Sequence, residues 1–230
     1  LNFGTGVLGL SVIFEQVDTV RGWDFSATLA VLGIYLTVNA LRDLFIGPSL
    51  NALAGMDGDV WTGKLDFTML RPVDVQFWAS LRQWRLFSLF DLMLGFGVIV
   101  AAVTQFDTAP SLINLLAFLI LLISGVIVIY AILLVFTALV FWSPGFLFTW
   151  VFDGIFQLAR YPVGLYPGWL RLALTWVIPV GLVTTIPAQA LTGDLQIGML
   201  IGSLALSAAL FAGASILFHR GMRRYASASS

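Results

Sequence analysis

Residues 108–152 read TAPSLINLLAFLILLISGVIVIYAILLVFTALVFWSPGFLFTWVF. No Asp, Glu, Lys or Arg interrupts them, and the apolar run is broken only at Ser143-Pro144-Gly145. A transmembrane helix needs about 20 apolar residues, so the stretch has room for two crossings. A water-soluble domain cannot hide a run of that length, and the chain is therefore expected in a bilayer.

Composition agrees. Of 230 residues, 60% are hydrophobic and 10% charged, with a mean hydropathy of +0.99, so lipid replaces water as the solvent for most of the surface. The net charge of −1 carries little information about partners, and nucleic acid is not expected as one. The absence of cysteine excludes a disulfide framework, a thiolate metal site and a thiol nucleophile. Residues 1–14 are apolar, with no basic n-region and no small-residue cleavage site, and read as the later part of a first membrane helix whose start lies upstream.

Apolar segments fall at 1–14, 26–46, 84–104, 112–141, 146–160 and 196–218, with a broken stretch at 170–190. The predicted fold class is all-α, a polytopic membrane protein with six transmembrane helices in a single domain over 1–230. The longest polar interval, 55–85, carries Lys64, Arg71, Arg82 and Arg85, and the tail carries Arg220, Arg223 and Arg224. Lys and Arg near span ends favour the cytoplasm, so both regions, the C-terminus included, are expected inside. The intervals at 15–24, with one Arg, and 105–111, with none, suit the outside.

Pro162, Pro167, Pro179 and Pro187 punctuate 161–191, and each removes a backbone donor from any helix it interrupts. Two arrangements satisfy the backbone. In one, two half-helices enter from outside, turn near Pro179 and leave again, packed against protein as re-entrant segments must be. In the other, 170–190 is a kinked crossing and 146–160 lies flat at the inner interface, placing Arg160 and Arg171 inside.

Several motifs mimic chemistry. Gly4-Thr5-Gly6-Val7-Leu8-Gly9 spells a dinucleotide fingerprint, but no strand delivers the chain to it, and small residues that let membrane helices approach are the simpler reading. Residues 58–65, GDVWTGKL, come within one residue of a phosphate-binding loop but lack the magnesium-binding Ser or Thr after Lys64 and place Asp59 and Trp61 where phosphate must approach. The single histidine, His219, has no further ligands at metal-site spacing. No catalytic or metal residues are predicted. The last helix carries Gly198/Gly202 and Ala205/Ala209/Gly213, small-residue stripes read as packing faces inside the bundle.

A charge at mid-bilayer costs at least about 2.5–3.5 kcal/mol and normally faces protein or a water-filled cavity. Arg42, Asp43, Asp91 and Asp153 fall in that class. Counting rise per residue puts Arg42 near the inner third of the second span and Asp91 at a comparable depth on the third, which predicts an Arg42–Asp91 contact. Asp153, with Gln157 one turn later, either lines a translocation path or is a hydrogen-bonded packing group.

The segment Gly63-Lys64-Leu65-Asp66-Phe67-Thr68-Met69-Leu70-Arg71-Pro72 resembles the stretch between the second and third helices of permease subunits in type-2 ATP-binding-cassette (ABC) exporters, in particular the bacterial six-helix branch. Arg160-Tyr161-Pro162, Tyr166-Pro167 with Trp169-Leu170, Ile178-Pro179 and Pro187-Ala188 are similar to that family's proline-punctuated outer segment. The resemblance covers essentially the whole chain in order and spacing, departing at the front, where a cytoplasmic amphipathic helix and most of the first span have no counterpart.

The resemblance implies a half-transporter: two permease chains, identical or paralogous, moving a substrate outward across a bacterial plasma membrane. Each would couple to one of two cytoplasmic ABC ATPases, which hold ATP and Mg while this chain binds no cofactor. It assigns ATPase coupling to 55–77, through Gly63, Lys64, Leu65, Asp66, Leu70, Arg71 and Pro72. It favours the re-entrant pair at 161–191, through Tyr161, Pro162, Tyr166, Pro167, Trp169, Pro179 and Pro187. Independently of it, Trp61, Leu65, Phe67, Met69 and Leu70 give 57–71 enough apolar surface either to bury against a partner or to lie on lipid headgroups. The competing functions are a secondary transporter or channel with Asp91 and Asp153 as a proton relay, and a non-transporting scaffold. The relay expects internal repeats, and no convincing repeat is present.

Overall fold

A computed structural model describes residues 2–55, 57–143 and 149–225. The Pro144-Gly145 break and the start of the segment expected at 146–160 lie outside them. Among the described residues the chain is all-helical, and its one β feature is an isolated bridge between Val20 and Trp23. Helix α1 (Asn2–Phe14) precedes α2 (Phe25–Leu41), which runs through one turn of π-helix, Arg42–Ile46, into α3 (Gly47–Ala54). Three short helices follow, α4 (Asp59–Thr62), α5 (Leu65–Met69) and α6 (Val75–Leu81), then the longer α7 (Ser88–Val103) and α8 (Leu112–Leu139). After α9 (Thr149–Phe156) and two 3-10 turns come α10 (Gly168–Leu172), a π turn, α11 (Val180–Val183), α12 (Thr185–Thr192) and α13 (Ile197–Met222).

By length and composition three helical runs can cross a membrane, Phe25–Thr62, Leu112–Leu139 and Ile197–Met222, and a fourth if Gly168–Val177 and Val180–Thr192, bent by 69°, count as one. The other expected crossings coincide with helices that are shorter than the roughly 20 residues of a full span: α1 has 13, α7 has 16 and α9 has 8. Hydropathy marks apolar residues, not helix ends. At 84–87 the backbone is held outside the helix because Arg85 N–H donates to Leu44 O at 2.7 Å.

Contacts sort the loops to two ends of the bundle. At one end the Arg21 guanidinium donates to Tyr166 O, Trp23 packs on Gly164, and Asp24, Asp107 and Thr192 share a small pocket. At the other, Ser49 bonds to the backbone of Gln83 and His219 to Asp74, and the tail arginines gather. Both ends of the bent pair stand at the first, acidic end, since Gly193 lies against Asn114 while Val183 packs on Gly125, about three turns down α8. The pair is bent by 69° between its two limbs, and its second limb packs against α8. Its prolines open helical pieces or sit in a first turn, where no donor is needed: Pro162, Pro167 and Pro179 each precede one, and Pro187 is third in α12. Donors and acceptors freed at the breaks are met by buried hydroxyls, with Thr184 donating to Ala159 O and Thr185 accepting from Val163 N–H, both at 3.0 Å.

The largest helix contacts are α2 with α7 and α13 with α8. Small residues permit the first, because Gly33 meets Ile99 and Gly95 meets Thr37 at backbone distance. In the same way Gly6 lets α1 lie against Leu32 of α2, the role expected for the 4–9 motif. The stripe on α13 is a correction. Ala205, Ala209 and Gly213 face away from this chain, and the buried face of α13 is instead Ser203, Ser207, Ala214, Phe218 and Gly221. Serine serves there as well as alanine, because Ser203 and Ser207 return their hydroxyls to carbonyls of their own helix.

Candidate functional site

Three side chains at successive turns of α2, Tyr35, Asn39 and Arg42, face a matching row on α9 and its 3-10 extension, Asp153, Phe156 and Arg160. Arg42 Nη2 lies 2.8 Å from Asp153 Oδ1, its Nε lies 3.6 Å from Asp43 Oδ1, and its Nη1 reaches Asn39 Oδ1 at 3.4 Å. One turn along, the rings of Tyr35 and Phe156 meet at 5.3 Å, and Phe156 stacks on Phe152 at 5.5 Å. Beyond them the Arg160 guanidinium sits 5.4 Å from the Tyr35 ring centroid, a cation–π contact in a low-dielectric setting.

The seam is charged, yet one side of it is uncovered. The Asp153 side chain is 40% exposed against 17% for Arg42, and Gly154 and Gln157 beside it are exposed. The Nε atoms of Arg42 and Arg160 are buried without a hydrogen-bond partner. Carboxylate, amide and guanidinium groups in that position are costly against hydrocarbon, so the open side demands water or protein. The cation sits where the helix widens: the π turn at Arg42–Ile46 closes with Gly47 N–H on Arg42 O, a feature frequent at functional sites.

The expected Arg42–Asp91 contact is not formed. Arg42 pairs with Asp153 and Asp43, while Asp91 occupies the first turn of α7, where the helix dipole favours an acid. Depth arithmetic fixes height along a helix but not direction around it.

At the basic end, residues 57–82 fold into a compact element. Gly63 turns the chain with φ of 72°, a left-handed conformation natural to glycine. Leu65 is fully buried, whereas Phe67 at 72% and Leu70 at 81% are exposed. Arg71 stacks on Trp78 at 4.3 Å, Lys64 and Pro72 are exposed, and Asp66 is half-buried. A short ion pair between Asp59 and Arg82 ties the start of the element to its end, so an acid of the phosphate-loop lookalike is spent on holding the turn. Among the described residues no cluster of metal ligands occurs.

A family model described as ABC-2 family transporter protein matches residues 1–229. The chain belongs to the ABC-2 transporter family. No curated protein and no solved structure matches it. Membership makes the chain a membrane transport component, a permease, and implies association with an ABC ATPase.

In this permease the proline-segment residues occupy the acidic end. Tyr166 O accepts from Arg21 and its hydroxyl donates to Leu158 O, while burial pushes the phenol up to about 12. Tyr161 approaches Gly9, Pro162, Pro179 and Pro187 are buried, and Trp169 and Pro167 are exposed. Sequence reasoning missed Tyr35, Asn39 and Arg160 as seam members. The available signal was polar and aromatic side chains three to four residues apart on otherwise apolar helices.

It also missed the His219–Asp74 contact, 3.2 Å between residues far apart in sequence. Phe77 N–H and then His219 hold the Asp74 carboxyl below the usual carboxylate range. A depressed pKa means that the contact stabilises the permease above the unfolded-state value and is lost as pH falls through the folded one. Hydrogen exchange across 74–81 is therefore expected to rise as pH drops below about 4, and in Asp74→Asn to be raised at neutral pH already. Identical exchange in both proteins at neutral pH would remove the anchoring role.

Proposed function

We propose that the permease is half of an ABC exporter. Two copies, or a copy and a paralogue, flank a path lined by the Asp153–Gln157 side of the seam, and two cytoplasmic ATPases dock on 55–77. The observation that carries this reading is the uncovered polar seam on a chain whose long helices expose mainly apolar side chains. Water in a path between two permeases, or the partner permease itself, removes the desolvation penalty that lipid would impose. Six crossings, the basic end and C-terminus in the cytoplasm of a bacterium, and the bent pair as an outer re-entrant closure complete the arrangement, supported by charge bias and by the return of that pair to the acidic end. Outward export rests on the family resemblance.

Docking is supported by the surface of α5. Phe67, Met69, Leu70 and Val73 are exposed on an element that Leu65 and the Asp59–Arg82 pair keep rigid, as a force-transmitting contact requires. The secondary-transporter reading needs Asp91 and Asp153 on one proton route, but Asp153 is engaged by Arg42 and Asp91 sits in the first turn of another helix. Phe67→Asp with Leu70→Asp is expected to abolish co-purification of an ATPase expressed with the permease, while melting temperature stays within about 0.5 kcal/mol of stability, as befits exposed sites. Retention of the ATPase at wild-type stoichiometry would refute docking at α5.

A further inference from the structure

On a different flank, α6, α8 and α13 enclose a groove of about 540 Å³. Its walls are Phe77 and Leu81 of α6, Val126 and Ile127 of α8, and Phe211 of α13. The polar groups at its back satisfy one another: Gln76 Nε2 donates to the Tyr130 hydroxyl at 3.1 Å and to Ser215 Oγ at 3.0 Å, and the Ser80 and Tyr130 hydroxyls lie 2.7 Å apart. An occupant of this part needs no polar group of its own.

The rim differs. Phe211, Ser215 and His219 follow at four-residue spacing along α13, leading from the apolar depth to the His219–Asp74 contact at the rim, and the exposed Arg223 caps the helix one turn beyond. Phe211 to Arg223 spans roughly 18 Å at 1.5 Å per residue, a little more than the roughly 15 Å hydrocarbon depth of one leaflet. Apolar in its depth, with the Asp74 carboxylate at its rim engaged by His219 and the exposed Arg223 just beyond, the groove and its surroundings match an anionic phospholipid in charge and in length. Along α13, Ile201, Leu204 and Ile216 are exposed and continue the apolar surface outward.

We infer that the groove between α6, α8 and α13 holds one acyl chain of an anionic phospholipid whose headgroup rests at Arg223. Basic side chains beside a span attract anionic headgroups by about 1 kcal/mol each. The assignment is independent of the exporter reading and requires only that the chain lie in a bilayer. The π turn that begins at Arg42 of the seam also contains Phe45 and Ile46 of the groove lining, so lipid occupancy and seam geometry share one structural element.

The test is native mass spectrometry of permease extracted from bilayers of equal phosphatidylglycerol and phosphatidylcholine. Wild-type protein is expected to retain phosphatidylglycerol several-fold over phosphatidylcholine, Ile127→Trp to lose the retained lipid by filling the groove, and Arg223→Gln to bring the ratio near one. Arg223 is exposed, so that variant carries the test should Ile127→Trp not fold. An unchanged ratio in Arg223→Gln would overturn the assignment. The chain has no cysteine, so Phe77→Cys adds a check for a second copy: no disulfide-linked dimer is expected in membranes, and its formation would show a protein in the groove instead.

Discussion

Replacing Arg42 by Leu is expected to destabilise the permease by about 3 kcal/mol, the lower end of what breaking a buried ion pair costs. The lower end applies because the Asp153 carboxylate is 40% exposed and water reaches part of it. The loss arises less from the missing attraction than from what is left behind. Asp153 and Asp43, both paired with Arg42 in the wild type, are left without that cation. Two apolar residues need no counter-charge, so Arg42→Leu with Asp153→Leu should recover most of the melting temperature. On the proposed exporter reading it should not recover ATPase activity coupled to transport, because the path proposed along the seam then lacks its charged lining. Melting curves and coupled turnover measured on the same three proteins separate the structural role of the pair from its functional one. An Arg42→Leu protein as stable as wild type would show that the pair does not hold α2 to α9.

That experiment also marks the boundary of what the sequence could disclose. The class of protein and its longest apolar helices, α8 and α13, were legible because uncharged runs such as 108–143 have no other stable solution than a bilayer. The bend between Gly168–Val177 and Val180–Thr192 falls at Pro179, one of four prolines that punctuate the segment. Arg42 and Asp153 were recognisable as costly charges, but their partnership was not, since residues far apart in sequence meet through the packing of separate helices. The π turn at Arg42–Ile46 leaves no compositional trace either. The His219–Asp74 contact and the Asp59–Arg82 pair were hidden for the same reason. The small stripe on α13 misled because alanine and glycine permit close approach without requiring it.

Glycine in α2 and α7 shows the opposite case, where close approach is obligatory. A Cβ on Gly95 would lie 2.7 Å from both Thr37 N and Thr37 Oγ1, and one on Gly33 would lie 2.8 Å from Ile99 N. Backbone atoms cannot swing aside as a side-chain end does, so Gly95→Ala must push α7 off α2. Alanine should gain up to about 1 kcal/mol of helix propensity over glycine, but overpacking costs about 1–3 kcal/mol, and the net expectation is a lowered melting temperature. Gly97, two residues on, has nothing within 4 Å, so Gly97→Ala should keep the propensity gain and melt at or above wild type. Gly33→Ala should resemble Gly95→Ala. In the double variant the helices are already separated by the first methyl group, so the second costs less, and the combined loss should fall short of the sum by more than the roughly 0.5 kcal/mol expected of independent sites. Simple additivity would mean that the two glycines do not report one shared interface. Because α2 carries Arg42, the same displacement should lower coupled turnover in Gly95→Ala by more than its stability loss alone explains, and Gly97→Ala should leave it unchanged.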